Sequence, residues 1–366
     1  MSEPDLTPVT SRERRIAVLL FFATLLSVFL VYGYQWAGGD PLHDAAVARE
    51  SAAFAGTLMG ILLAHEMGHY LVARRHGFQL SLPYFLPLPT AFGTFGAIIR
   101  LRSLPRSRTA LLEMGAAGPL AGFAVAMVAM AIGLPATVAH VAPQMIASLP
   151  ALPATPPPAP GMFESVLVTL LTHPPLSWLF ELLSRIVPPA PDHTLPLMIL
   201  ANPPAMDVLG KILLGAAPGK YAELSPVAMA GWVGCLLTGI NLLPIGQLDG
   251  GHVLNALAPR AAPTVARVGV ALALLAGVFF WSGWMVWGVL LLVLRAWQSL
   301  PVPSEPAPTR RALAMAALAL VAFSLSFMPR PLAIENLPLS AIAWVDENCN
   351  PTAPPTDPVD AVPATP

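Results

Sequence analysis

Apolar runs of membrane-crossing length, separated by short charged or proline-rich breaks, set the pattern of this chain. About 18 or more successive apolar residues suffice to cross a bilayer as a helix. The first such run, Ile16 to about Gly33, follows the cationic flank Arg12-Glu13-Arg14-Arg15. The second, about Ser51 to Ala73, ends at Arg74-Arg75-His76-Gly77. Arginines in the last turn and a glycine just beyond it mark a helix C-terminus. The third runs from about Ala110 to Leu134 and holds Gly115, Gly118 and Gly122, small residues that let helices approach closely. A fourth starts near Pro226 and breaks at Pro244 and Gly246. Residues 264–297 are long enough for two short spans turning at Trp281-Ser-Gly-Trp284, and a last span covers about Ala312 to Phe327. The excess of arginine on one side predicts a cytoplasmic N-terminus and a cytoplasmic face carrying Arg74, Arg75, Arg100, Arg102, Arg106 and Arg108. Residues 34–50 then form an outer loop.

The breaks differ in kind. Leu82-Pro83-Tyr84-Phe85-Leu86-Pro87-Leu88-Pro89 cannot continue a helix. The stretch Phe92 to Arg102 is rich in glycine, β-branched and aromatic residues with strand-like alternation, so a hairpin or re-entrant loop is expected beside the second span. Residues 135–160 are proline- and alanine-rich, residues 161–187 are apolar but broken at Pro174-Pro175, and residues 192–224 are mixed and short-helical. No regularly spaced strands of a PDZ-like domain stand out. The chain thus predicts an all-α polytopic membrane protein of about six to seven transmembrane helices, with a small membrane-associated β-hairpin after the second span. Its expected parts are a cytoplasmic N-terminal segment (1–15), a first membrane part (16–134), an outer or interfacial proline-rich insert (135–224), a second membrane part (225–328) and a largely disordered tail (329–366).

Composition agrees with the lipid bilayer as a partner. Of 366 residues, 55% are hydrophobic and only 11% charged, against about 25% charged in average globular chains. The net charge of −1 comes without a basic stripe, which argues against nucleic acid. The first apolar run is too long for a cleavable leader and no A-x-A site follows, so it is expected to stay as a span. With two cysteines, Cys235 in an apolar run and Cys349 in the tail, any metal site has to use histidine and carboxylate.

Chemistry concentrates in the second span, at His65-Glu66-Met67-Gly68-His69. His65 and His69 are four apart and share one helix face, so two ring nitrogens can converge on a tetrahedral Zn²⁺, with Glu66 beside them as a base for water. Burying three ionisable groups in a hydrophobic helix without compensation costs several kcal/mol, which favours a metal over coincidence. A third ligand has to come from elsewhere, and Asp249 is the best candidate. The segment that carries it runs parallel to the second span and reaches the same depth. Asp249 could instead cap a helix or pair with a cation. Asn241, where that helix breaks, either contacts a substrate carbonyl or satisfies backbone groups freed by Pro244. His252 is open to a supporting or a local role, and His43, His140, His173 and His193 read as surface histidines.

His65-Glu66-Met67-Gly68-His69 followed by Asn241-Leu-Leu-Pro244 and Asp249-Gly250 resembles the site-2 protease family of intramembrane zinc metalloproteases, peptidase family M50. Gly93-Thr94-Phe95-Gly96 and Ala117-Gly118-Pro119 are similar to family features as well. The resemblance covers about residues 51–130 and 225–258. It implies that His65, His69 and Asp249 hold zinc, that Glu66 is general base and then acid, and that Asn241 and the 93–96 stretch position substrate. It further implies cleavage in or next to the transmembrane segment of a membrane protein substrate, in a bacterial inner membrane with the active site near the cytoplasmic side. An ion or metal transporter, or a catalytically inactive scaffold, are the rivals.

Overall fold

The computed structural model describes residues 10–88, 91–99, 102–103, 105–139, 194–219, 222–298, 300–303 and 306–338. The proline-rich run 140–193 with His140, His173 and His193, the tail from 339 with Cys349, and Arg100 lie outside the described residues. Two units are distinguished, residues up to Val138 together with Ala201–Pro331, and Ala139–Leu200 together with Leu332–Pro366.

In the first unit, helix α1 (Ser11–Val31) opens with a capping box, in which Thr10 and Glu13 each accept the other's backbone N–H. That satisfies two of the donors a helix start leaves free. α1 runs into a π-turn, Tyr32–Trp36. α2 (Ala45–Arg75) is capped by Asp44, whose carboxylate accepts from Ala46 and Val47 N–H. It ends at His76 with Gly77 at φ 73°. There Gly77 N–H returns to the Arg74 carbonyl and Phe78 N–H to Ala73, while Phe78 packs on Ala73. Only a residue without Cβ takes that left-handed turn cheaply. The end read from Arg74-Arg75-His76-Gly77 is therefore a Schellman stop.

β1 (Tyr84–Pro87) and β2 (Thr94–Ile98) pair antiparallel, with Tyr84 opposite Ile98 and Phe85 opposite Ala97. The register then slips, and Pro87 faces Thr94. Proline has no N–H for a ladder, so a bulge at that end is where it can sit. The sequence assigned the first of these strands only as a non-helical break. Its partner lies in the stretch expected to be strand-like.

α3 (Arg108–Gly133) packs along α2 and continues into a 3₁₀ turn, Leu134–Ala136. β3 (Val138–Ala139) pairs with β5 (Ala222–Glu223), and between them in sequence come β4 (Thr194–Leu200) and α4 (Pro204–Leu214). α5 (Pro226–Asn241) lies against α2 and α3. After a seven-residue break, 242–248, comes α6 (Asp249–Leu257), which packs on α3. α7 (Ala262–Phe279) and α8 (Ser282–Val293) form an antiparallel pair turning at Trp281, and α9 (Arg310–Ser326) crosses α3 and α5. In the second unit β4 pairs with β6 (Leu332–Pro338) along seven residues, from Thr194–Pro338 to Leu200–Leu332. Residues 332–338, expected within a largely disordered tail, are thus a strand. Its partner lies well over a hundred residues earlier, a pairing that no local pattern announces.

Among the described residues, Ser11–Trp36, Ala45–Arg75, Arg108–Ala136 and Ala262–Phe279 are helical stretches long and apolar enough to cross a membrane. Pro226–Asn241 and Ser282–Val293 are shorter apolar helices. The outward faces of these helices are apolar too, with Leu19, Phe22, Ile132, Leu272 and Phe279 all exposed. Large exposed apolar faces suit contact with lipid. Among the described residues the fold is mostly helical, with three two-stranded pairings.

Candidate functional site

His65 and His69 sit one turn apart on α2, with ring centroids 4.9 Å apart. Their Nε2 atoms are 3.2 Å from each other. Asp249, the first residue of α6, meets both: Oδ2 stands 3.2 Å from His65 Nε2 and Oδ1 3.3 Å from His69 Nε2. All three side chains are largely buried. Asp249 does not serve as the helix cap, because the N-cap falls on Leu248.

The donor set can be tested against zinc directly. Ligand atoms on a tetrahedron with bonds of about 2.1 Å stand roughly 3.4 Å apart. The two Nε2 atoms, 3.2 Å apart, come close to that; Asp249 offers each of them a different oxygen, at 3.2 and 3.3 Å, and one ligand atom from each of the three residues lies within 4.8 Å of the others. Protonation points the same way. His69 Nδ1 lies 2.8 Å from the Met114 carbonyl. A carbonyl only accepts, so Nδ1 carries a proton and Nε2 is the nitrogen left to a metal. Nε2 faces the carboxylate and the His65 ring. Two imidazoles and a carboxylate converging in this way are a donor set that fits a divalent cation.

Neighbouring helices make room for this convergence. A Cβ at Gly118 would fall on the His69 ring, and one at Gly122 would come within 3.0 Å of His65 Cβ and 3.2 Å of its Nδ1. The small residues of α3, which the sequence suggested for helix packing, therefore face the two histidines. On the other side Gly246, at φ 44°, lies against the backbone of Ala296 and Trp297, and Gln247 N–H donates to the Ala296 carbonyl at 2.6 Å. The turn after α8 thus braces the loop that delivers Asp249.

Glu66 is buried and lines a cavity of about 80 Å³ together with His65. Asn241, at the last position of α5, and Phe95 and Gly96 of β2 border the same space. Gly93 and Thr94 are not among its lining residues. A Cβ at Gly93 would meet the backbone of Ser27 and Val28 in α1, so Gly93 seats the hairpin on that helix. Thr94 Oγ1 donates to the Leu86 carbonyl at 3.1 Å and accepts from Gly96 N–H at 3.1 Å, holding the two strands together. The tip is further fixed by Trp36, which stacks on Phe92 and donates from Nε1 to the Ala91 carbonyl at 2.7 Å.

His252 packs against Gly115, and its Nδ1 is buried without a partner among the described residues. His43 is exposed and bonded to Asp40 at 2.6 Å, as a surface histidine would be. Three contributors escaped the sequence: the Met114 carbonyl, the indole of Trp287 on the cavity wall, and the buried Glu113. Glu113 pairs with His76 at 2.9 Å, about two helical turns beyond His69. Glu113 was visible as an acid at the start of a span. The other two carried no signal.

With this geometry in hand, comparison with known proteins is decisive on kinship. The model of peptidase family M50 matches residues 53–280, which include His65, Glu66, His69, Asn241 and Asp249. The chain belongs to peptidase family M50. It is similar to the probable zinc metalloprotease EGY2, chloroplastic, of Arabidopsis thaliana, with 29% identity over 277 residues, 75% of this chain and 41% of that protein. The probable zinc metalloprotease EGY1, chloroplastic, of the same plant is 29% identical over 294 residues, 78% of this chain and 43% of its own length. The EGY2 protein of Oryza sativa subsp. indica is 30% identical over 199 residues, 54% of this chain and 27% of that protein. The chain spans about two fifths or less of the length of these relatives. No solved structure matches it.

Proposed function

We propose that this M50 chain is an intramembrane zinc metalloprotease that hydrolyses peptide bonds in or beside transmembrane segments of membrane proteins. The observation that carries the reading is the convergence of His65, His69 and Asp249 beside Glu66. Family membership and the names of the relatives, zinc metalloproteases, support hydrolysis over transport or a catalytically inactive scaffold. His65, His69 and Asp249 are the proposed ligands. Zinc, when bound, supplies Lewis acidity, lowering the pKa of water to about 7 and polarising the scissile carbonyl.

The chain's own residues do the rest. Glu66 takes a proton on its carboxylate from the attacking water and returns it to the leaving amine. Asn241 donates from its side-chain amide to the substrate carbonyl oxygen as charge grows there. A helix is about 10–12 Å across, far too wide for a cavity of about 80 Å³, so the substrate unwinds locally before it reacts. β2 is hydrogen-bonded to β1 along one edge, and Phe95 and Gly96 border the cavity. We propose that an unwound substrate stretch adds beside β2 as a further strand. Exchanges confined to Thr94–Ile98 that spare the fold should therefore reduce cleavage.

In the bilayer, α5, α8 and α9 complete the four longer helices to six or seven crossings. Arg74, Arg75, Arg102, Arg106 and Arg108 mark the side nearer the site. We place that side at the cytoplasm of a bacterial inner membrane, although the relatives named above are chloroplastic. Cleavage of an unfolded protein such as β-casein by the purified, zinc-loaded chain is the test. Glu66→Gln should keep zinc and lose turnover by about 10²–10⁴-fold. Equal cleavage by Glu66→Gln and wild type would reject the assignment.

A further inference from the structure

The cavity beside Glu66 has one wall that neither the His-Glu-x-x-His helix nor the α5–α6 break supplies. Trp287, in the middle of α8, lines it, and its indole stacks on the Phe95 ring at 5.7 Å between centroids with 22° between the planes. Phe95 is itself 40% exposed, so the pair stands where the cavity meets the outside. Trp287 lies beyond residue 280, where the family match ends.

The other walls leave little latitude. Gly96 and Ala97 of β2, Gly122 of α3 and Gly234 of α5 are the smallest side chains available. The backbone therefore comes close on several sides, and the largest movable group in the lining is the Trp287 ring. A volume of about 80 Å³ accommodates several waters or one small side chain, since a single water needs roughly 10–15 Å³ on the same measure. α8 is also held from its far end. The turn after it takes Gln247 N–H of the Asp249 loop at 2.6 Å and packs against Gly246. Its middle touches the hairpin through Phe95, so one helix braces two sides of the site.

We infer that Trp287, stacked on Phe95, sets the size limit for the substrate side chain next to the scissile bond and restricts it to glycine, alanine or serine. This inference rests on the protease reading of the same cavity. A large-to-small change at an apolar wall opens space that a longer side chain can fill, and one methylene in such a pocket already shifts specificity by roughly tenfold or more. Trp287 offers no ligand atom to the His65–His69–Asp249 group, so removing its ring should leave zinc in place.

The test uses the full-length chain in detergent, with β-casein as the unfolded probe and the cleavage sites mapped by mass spectrometry. Wild type should cut next to glycine, alanine and serine. Trp287→Ala should gain sites flanked by leucine or phenylalanine, raised about tenfold relative to the small-residue sites, with zinc content unchanged. Trp287→Phe, which keeps a ring against Phe95, should shift the same way by less. An unchanged site distribution in both variants overturns the inference while leaving the protease reading intact. Loss of zinc from both variants overturns it as well, by making Trp287 a support of the metal site. If zinc-loaded wild type yields no cleavage at all, the protease reading falls and the inference falls with it.

Discussion

His69 donates its Nδ1–H to the Met114 carbonyl at 2.8 Å, across the interface of α2 and α3. That bond sets which ring nitrogen is free, and it turns Nε2 toward Asp249 and His65. One turn further along α3 is Gly118, where even a methyl group would fall on the same ring. Seven residues beyond His69, His76 pairs with Glu113, the residue before Met114. The same helix face thus orients the histidine, leaves space for it and anchors the end of the helix that carries it.

Gly118→Ala should therefore displace His69 without unfolding the chain. The expected result is a drop in zinc affinity of about 10–100-fold, the usual cost of disturbing what orients a metal ligand. Gly122→Ala should cost less, because its Cβ would approach His65 at 3.0 Å instead of overlapping it. Competition with a chelator, read alongside helical circular dichroism, measures both. Wild-type affinity in Gly118→Ala would show that the ring has another place to go.

Asn241 borders the cavity at the final residue of α5, where the helix gives way to Leu242-Leu243-Pro244. Asn241→Ala should lower kcat by about 10²–10³-fold through loss of a donor to the substrate oxygen, with zinc content unaltered. A role limited to closing the helix end would instead lower the unfolding temperature and spare kcat. Steady-state kinetics and thermal unfolding on the same preparation separate the two.

Glu113 is buried and joins His76 at 2.9 Å, with Arg311 of α9 at 4.0 Å from its other oxygen. Glu113→Gln should cost about 1–2 kcal/mol of stability, the scale of a buried hydrogen bond between membrane helices. The loss should appear in thermal unfolding in detergent. Zinc content should persist, since none of the three residues belongs to the His65–His69–Asp249 group. Unchanged stability would mark the pair as incidental.

The site was legible in the chain where its logic is local, and hidden where it is not. His65, Glu66 and His69 follow from helical spacing alone. Asp249 could be reached because Pro244 and Gly246 announce a break in a second apolar run of matching direction. The end of α2 was readable from Arg74, Arg75 and Gly77, whose backbone demands are purely local. By contrast, β1 hid behind its prolines, since Pro83 and Pro87 argue against helix without arguing for a strand. β6 joins β4 across most of the second half of the chain, so neither partner signals the other. Met114 acts through its carbonyl and is invisible to residue type. Gly93 and Thr94 make contacts that seat β2 on α1 and tie it to β1, while Phe95 and Gly96 face the cavity. Trp287 looked like any aromatic in an apolar helix.

The most direct measurement is the metal content of the purified chain, with and without His65→Ala, by elemental analysis after gel filtration in detergent. Convergence of His65, His69 and Asp249 at 3.2–3.3 Å predicts stoichiometric zinc in the wild type and its loss in a variant that still elutes as a folded species. A well-folded wild-type preparation that takes up no zinc, or a His65→Ala variant that holds it as tightly, would contradict a three-ligand zinc centre.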